Sequence, residues 1–348
     1  MVEAFTHLSA CSNYSFKYGV NHPEDLVAKA AQLNMTSLAL TDIDNLAGAI
    51  RFAQSCESHG ITPILGINIG FIQKQSRLTL LAKSGKLSSL YRLVTAINTN
   101  TSDGVLTIDL LERFNQYSIN LIALLGPQSG LNKNLSDRKE AAALSNYQLT
   151  KEHFSKVVIE CVSHLERVGN LRSTTAAGRS LAFAIKNQIP AVITNQVRML
   201  EKSDGPVVDV LDANRKLSFI TSAIIERSNG EAYLKDSQDM AHLADQVARA
   251  AGEVSCRSLL KTTADIAAEC ELSTQGEIGL GGIHLPEPAL FGATTQDQLV
   301  TQLRDKTVSK ISYYYQSNQY QKVCDRLEQE ISSIAQLGFT SYFLTVAQ

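Results

Sequence analysis

No apolar run in this chain of 348 residues approaches the roughly 20 that a membrane-spanning helix needs. Its opening, MVEAFTHLSA, lacks both the basic start and the apolar middle of a secretory signal. Charge of one sign is not in excess. The 32 basic residues face 34 acidic ones, a net charge of -2, which gives no ground for a strongly basic nucleic-acid-binding face beyond a local patch. None of the six cysteines (11, 56, 161, 256, 270, 324) forms a C-x-x-C pair. Reduced thiols in a cytoplasmic protein are therefore expected, not disulfides or zinc. Internal repeats and low-complexity tracts are missing as well. What remains is a globular composition, 44% hydrophobic and 19% charged, in enough chain for one large domain and a smaller second one.

The first 200 residues alternate short aliphatic runs with amphipathic helical patterns. The runs are AFTHL (4–8), SLALT (37–41), PILGINIGF (63–71), LTLLA (78–82), NLIALL (120–125), KVVIEC (156–161) and AVIT (191–194). Short, nearly continuous apolar runs suit parallel strands covered on both faces. Between them, HPEDLVAKAAQLN sets Pro23 at a first helical position, and NLAGAIRFAQSCESHG ends on Gly60, a natural left-handed stop. KLSSLYRLVTAIN and GRSLAFAIKNQ repeat the pattern. Repeated βα units imply right-handed crossovers and a parallel sheet. With seven strands, a distorted parallel (β/α)7 barrel over residues 1–225 is expected. Strand signals then stop. Residues 226–283 read as a helical extension, and 284–348 as a linker with further helices, with a Gly/Pro-rich crossing, GEIGLGGIHLPEPALFG, at 276–292.

In a parallel βα barrel, functional side chains sit at the C-terminal ends of strands and on the loops that follow. Those places read SACSNYSFKYG after the first strand, TDIDN after the second, GIN at 66–68, LLGPQSG after the fifth and TNQVRM after the seventh. These segments resemble the PHP (polymerase and histidinol phosphatase) domain that opens bacterial DNA polymerase III alpha subunits. The family pattern F-x-H-L-H-x-H-S-x-Y-S is met at Phe5, His7, Leu8, Ser12, Tyr14 and Ser15. A second pattern, A-L-T-D-H-x-N-x-x-G, is met at Ala39, Leu40, Thr41, Asp42, Asn45 and Gly48. The likeness continues through AYLKDSQDMAHL (232–243), HLPEP (284–288) and LEQEISSIAQLGFTSYFLTV (327–346). It covers essentially the whole chain, and a simple phosphatase of the same superfamily would not need this tail.

Members of that family with an active site hold divalent metals on His, Asp, Glu and sometimes Cys ligands, which polarise a phosphate and activate bound water. Carried over position by position, the first His-x-His of the family falls on Ser9 and Cys11. The Asp before the loop glycine falls on Tyr18, and the His of T-D-H on Ile43. The Glu of G-x-E becomes Asn68, the His opening strand four becomes Arg77, and the Cys of the S-G-C segment becomes Pro127. The final Asp-x-His becomes Gln196 and Arg198. Cys11 alone keeps a good donor atom, Ile43 offers none, and two arginines bring positive charge where cations would bind. The resemblance thus implies a vestigial site, with no metal and no catalytic residue.

Other residues have structural readings beside functional ones. His7 alternates within AFTHL as a packed, hydrogen-bonded histidine would. Asp42 and Asp44 follow a strand end; they can hold a remnant cation, or Asp44 or Asn45 can cap the helix starting near Leu46. His164, near Glu160 and Cys161, is either a loop histidine or part of a His/Cys/Glu site. Arg77 and Arg198 can bind an anion such as phosphate, or pair with a remaining carboxylate such as Asp42, or sit on an exposed rim. RKLSFITSAIIERS (215–228) is read as a solvated helix end, and the helix around DRLEQEISSIAQLG as one packing Leu327, Ile331, Ile334 and Leu337.

The resemblance implies a parent that is a DNA-directed DNA polymerase acting in replication, with Mg at palm carboxylates that this chain does not contain. The chain is expected to be its N-terminal portion, without catalysis of its own. Its implied partners are the rest of the alpha subunit, a proofreading exonuclease, and DNA through the parent; no membrane is involved. Two other readings stay open: a metal-dependent phosphoesterase or 3′–5′ exonuclease with a rearranged site, and a stand-alone adaptor.

Overall fold

Short aliphatic runs with no polar face can be satisfied only between two covering layers, and here they become the strands of one sheet. The computed structural model describes residues 4–221 and 228–347. The strands are β1 (Ser37–Ile43), β2 (Thr62–Phe71), β3 (Gln73–Ala82), β4 (Val105–Leu106), β5 (Leu121–Leu125), β6 (Lys156–Val162) and β7 (Ala191–Thr194). Their order is β1-β2-β3-β5-β6-β7, with β4 beside the end of β2. The chain is thus α/β with a seven-stranded sheet.

Not every strand runs the expected way. β3 is antiparallel to both β2 and β5. Between β2 and β3 stands Ile72 alone, at φ 63°. A parallel return requires a crossover of about a dozen residues or more, so one residue forces a reversal. An apolar run carries no signal of direction. β4, two residues long, carries no sequence signal either.

AFTHL is not a strand, although it does a strand's work. His7 and Ala10 carbonyls accept from Ala39 N (2.9 Å) and Thr41 N (2.7 Å) of β1. On the other side, Ser9 O accepts from Val197 N at 2.9 Å, and Val197 O accepts from Cys11 N at 3.0 Å. Three residues on one side are therefore matched to two on β1, a bulge-like slip that breaks the ladder. Residues 7–11 still bridge β1 to the segment after β7.

Inside the sheet lies a buried cluster with Leu8, Ala39, Ile64, Leu81, Ile122, Val158 and Val192 as its wall. Ile266, Ala267 and Cys270, on the helix Arg257–Cys270, plug it. The larger outer cluster packs the crossover helices against the other face. Pro23 opens the helix Pro23–Gln32, and Gly60 stops Ala49–His59 at φ 67°. The helix Ser237–Ala250 lies so close to Thr174–Lys186 that a Cβ at Gly178 would stand 2.6 Å from Ala250 Cβ.

The chain divides into two compact units, Met1–Leu280 and Gly281–Gln348. The plug and the Ser237–Ala250 helix fall within the first unit, one filling the inner cluster and the other packing into the outer one. In the second unit, helices Gln296–Tyr314, Tyr320–Gln336 and Thr340–Val346 gather around Ala293, Leu299, Leu303 and Leu344. Ile331 is buried there and Ile334 partly so, but Leu337 is 70% exposed, since it caps the helix end. Among the described residues, no helix is long and apolar enough to cross a membrane. Of RKLSFITSAIIERS, residues 222–227 lie outside the described residues.

Candidate functional site

The loops after β1, β2 and β7 and the turn at 9–18 meet over one mouth of the barrel. Asp42, at the end of β1, organises them. Its carboxylate accepts from Ser12 N (2.7 Å), Ser12 Oγ (2.9 Å) and Ser15 Oγ (2.6 Å), while Ser15 Oγ accepts from Ile43 N at 2.9 Å. Burial pushes the Asp42 carboxyl above its usual range, against hydrogen bonds from Ser15 and Ser12 that favour the charged form. This aspartate is an anchor for the loop, with three hydrogen bonds from its two serines.

Above it opens a cleft of about 480 Å³ whose walls include Ser9, Cys11, Tyr18, Ile43, Asn68, Arg77 and Gln196. Seven of the nine positions carried over from the family pattern therefore come together. Arg198 lines an adjoining lobe of about 600 Å³, which Tyr18 shares. Pro127 lines neither lobe. Four residues that the family pattern did not single out join these walls: Phe16, Gln128, Arg172 and Arg215. Phe16 and Gln128 lie in the segments SACSNYSFKYG and LLGPQSG and Arg215 opens RKLSFITSAIIERS, but only the loop arrangement brings them, with Arg172, to these walls.

The carried-over side chains have specific partners. Cys11 Sγ donates to Val197 O at 3.2 Å, and burial, with the Asp42 charge nearby, pushes the thiol up to about 12. It is a neutral thiol at physiological pH. Asn68 donates to Thr79 Oγ1 at 3.0 Å and accepts from Arg77 Nε at 2.6 Å. Arg77 Nη2 reaches Asp44 Oδ1 and Asn68 O, both at 2.7 Å. Arg198 takes both oxygens of Asp212, at 2.8 and 3.2 Å. A pairing of either arginine with Asp42 is thus replaced by Asp44 and Asp212. Asp42 is enclosed by its serines, whereas Asp44, at φ 59°, turns outward within reach of Arg77.

Gln196, at φ 40°, joins two charges. Its Nε2 donates to Glu160 Oε2 at 3.1 Å, and its Oε1 accepts from Arg172 Nε at 3.1 Å. Glu160 also accepts from Thr194 Oγ1 at 2.6 Å, and full burial raises its carboxyl above the usual range. Cys161, the next residue on β6, points the other way into the outer core. His164 Nε2 donates to Asn195 O at 2.7 Å, and burial lowers its pKa to about 3. His164, Cys161 and Glu160 form no joint site. His7 is likewise structural: Nε2 donates to Lys235 O at 2.8 Å, Phe5 stands edge-on to its ring, and burial lowers its pKa to about 4.

The expected helix cap is also displaced. Asn45 Oδ1 accepts from Ala47 N at 3.0 Å in a turn, while Gly48 occupies the cap of the helix Ala49–His59. Among the described residues, no group of three or more His, Cys, Asp or Glu side chains converges as metal ligands do.

Comparison with known proteins shows what the chain is similar to. The PHP domain family matches residues 7–164. The DNA polymerase III subunit alpha of Buchnera aphidicola subsp. Acyrthosiphon pisum is 26% identical over 364 residues, covering 99% of this chain and 30% of that protein. An error-prone DNA polymerase of Symbiobacterium thermophilum is 26% identical over 366 residues, covering 99% of this chain and 31% of that protein. The chain therefore spans under a third of the length of these relatives. A solved amidohydrolase from Chromobacterium violaceum overlaps 56% of this chain and 88% of its own, at 12% identity and a TM-score of 0.38, too low to carry an argument. Nearly the whole chain is thus similar to one portion of the DNA polymerase III alpha subunits, and its residues 7–164 match the PHP domain family.

Proposed function

We propose that this chain is the PHP-bearing portion of a cytoplasmic DNA polymerase III alpha-type subunit, and that its barrel serves replication as a support, not as a hydrolase. One observation carries the reading: the carboxylates beside the carried-over positions already have partners. Asp42 is committed to Ser12 and Ser15, Asp44 to Arg77, Asp212 to Arg198 and Arg215, and Glu160 to Thr194 and Gln196. A metal cluster needs several anionic or imidazole donors aimed at one point. Here the carried-over positions offer a neutral thiol, an apolar side chain, amides and guanidinium groups. The donor set does not fit a metal cluster, and metal-dependent hydrolysis has no seat in it.

A support of this kind would act through its packing and outer surface. The implied partners are the remainder of an alpha subunit, which would supply Mg-dependent polymerisation and the contact with DNA, and a separate proofreading exonuclease. The test is elemental analysis of the purified chain for zinc, manganese and iron, before and after incubation with excess metal, alongside a 3′ phosphodiester hydrolysis assay. Near-zero metal and no hydrolysis are expected. Tightly held metal at one or more per chain, with hydrolysis that it supports, would restore the phosphoesterase reading and overturn this one.

A further inference from the structure

The cleft is charged. Its two lobes share Tyr18, Gln128, Arg172 and Arg215. Among the described residues, their walls carry the cations Arg77, Arg167, Arg172, Arg198, Arg215 and Lys216 against the acids Asp44, Glu166 and Asp212. The whole chain has a net charge of -2, so this positive surplus is local. Asp44 holds Arg77, and Asp212 holds Arg198 and Arg215.

Arg172 stands at the seam, lining both lobes. Its Nε donates to Gln196 Oε1, and Gln196 is fixed in turn to the buried Glu160. That chain of bonds orients the guanidinium while, among the described residues, no acceptor meets its two Nη groups. A fork of donors held from behind and open in front matches the oxygens of a phosphate. The concave walls strengthen the attraction by focusing the field of the surrounding cations.

We propose that this cleft is a metal-independent binding site for the phosphate group of a small anion, with Arg172 as the central donor and Arg215 and Gln128 beside it. The inference rests on the reading that the cleft holds no metal cluster. Two sources share this chemistry, free inorganic phosphate and a mononucleotide. Phe16 lines the first lobe and is 80% exposed, which offers a ring face on which a base can stack. A cleft of about 480 Å³ has the size of a small-molecule site.

The test is calorimetric titration of the purified chain in EDTA with inorganic phosphate and then with dAMP. Saturable binding without metal is expected. Arg172→Gln should weaken both ligands by about tenfold or more, while Lys322→Gln in the second unit changes neither. If dAMP binds more tightly than phosphate and Phe16→Ala removes the difference, the ligand is a nucleotide; equal affinities identify phosphate itself. No saturable binding in EDTA or with manganese overturns this inference alone. Binding that appears only with manganese overturns both it and the metal-free reading. Unchanged affinity in a folded Arg172→Gln variant also overturns it. Should that variant fail to fold, Arg215→Gln and Arg167→Gln replace it, and wild-type affinity in both overturns the proposal.

Discussion

Arg198 lies over the face of Tyr18, its guanidinium carbon 3.7 Å from the ring centroid, and grips both carboxylate oxygens of Asp212. Stacking and a bidentate pair use the two properties in which arginine differs from lysine. The arrangement ties the strand-end segment after β7 to the helix Gly205–Arg215, across the turn that carries Tyr18.

Breaking this pair should destabilise the barrel. Both side chains are largely buried, at 11% and 17% exposure. Arg198→Gln leaves Asp212 with Arg215 alone and should cost about 2 kcal/mol. Burial alone would raise the Asp212 carboxyl, but the two arginines outweigh it and hold it below its usual range. A depressed folded-state value stabilises above the unfolded value of about 4 and is lost as pH falls through the folded one. The gap in urea midpoint between wild type and variant should therefore be full near neutrality and shrink in acid; a gap independent of pH would contradict the assignment.

The two buried histidines predict a separate acid sensitivity. His7 and His164 stay neutral when folded, at about 4 and about 3, whereas unfolded histidine takes a proton near 6.5. Between those limits the unfolded state binds more protons, so stability is lost as pH is lowered, by up to about 1.4 kcal/mol per unit for each group. His164→Asn should flatten the loss of urea resistance between pH 7 and pH 5. A steeper loss would mean that His164 charges without penalty.

At Gly178 the close approach of two helices leaves no room for a side chain. Gly178→Ala should push the helix Ser237–Ala250 away and cost about 1–3 kcal/mol despite the better helix propensity of alanine. Hydrogen exchange should speed up in residues 237–250, and unaltered exchange there would argue against the packing.

The second unit has a small core, in which Leu299 is fully buried. Leu299→Ala should remove about 2–5 kcal/mol from that unit. Circular dichroism should show an early partial loss of helix while the barrel's transition stays where it was. A single transition shifted as a whole would mean that the two units unfold together.

How much of this could be read from residues alone varied with the kind of information needed. The aliphatic runs placed β1, β2 and β5 to β7 within a residue or two, because burial on both faces leaves a compositional mark. The direction of β3 left none; it follows from the single residue Ile72 between two strands. AFTHL had the composition of a strand, yet its slip against β1 is a matter of register, to which composition is blind. At the cleft, the carried-over positions converged because they share strand ends. Their partners did not follow from motif spacing: Asp44 and Asp212 engage the arginines, and Asp42 serves the serines. Arg172 was invisible, since nothing local marks a loop arginine whose meaning depends on a glutamine 24 positions later.

The bridge at residues 7–11 bears on how the molecule is made on the ribosome. Made before its partners, it waits for Ala39 and Thr41 on one flank and for Val197 on the other. Phe5 and His7 wait longer still, for Ser237 and Lys235. Synthesis must therefore pass residue 197 before the barrel's seam can close, and residue 237 before Phe5 and His7 are held in place.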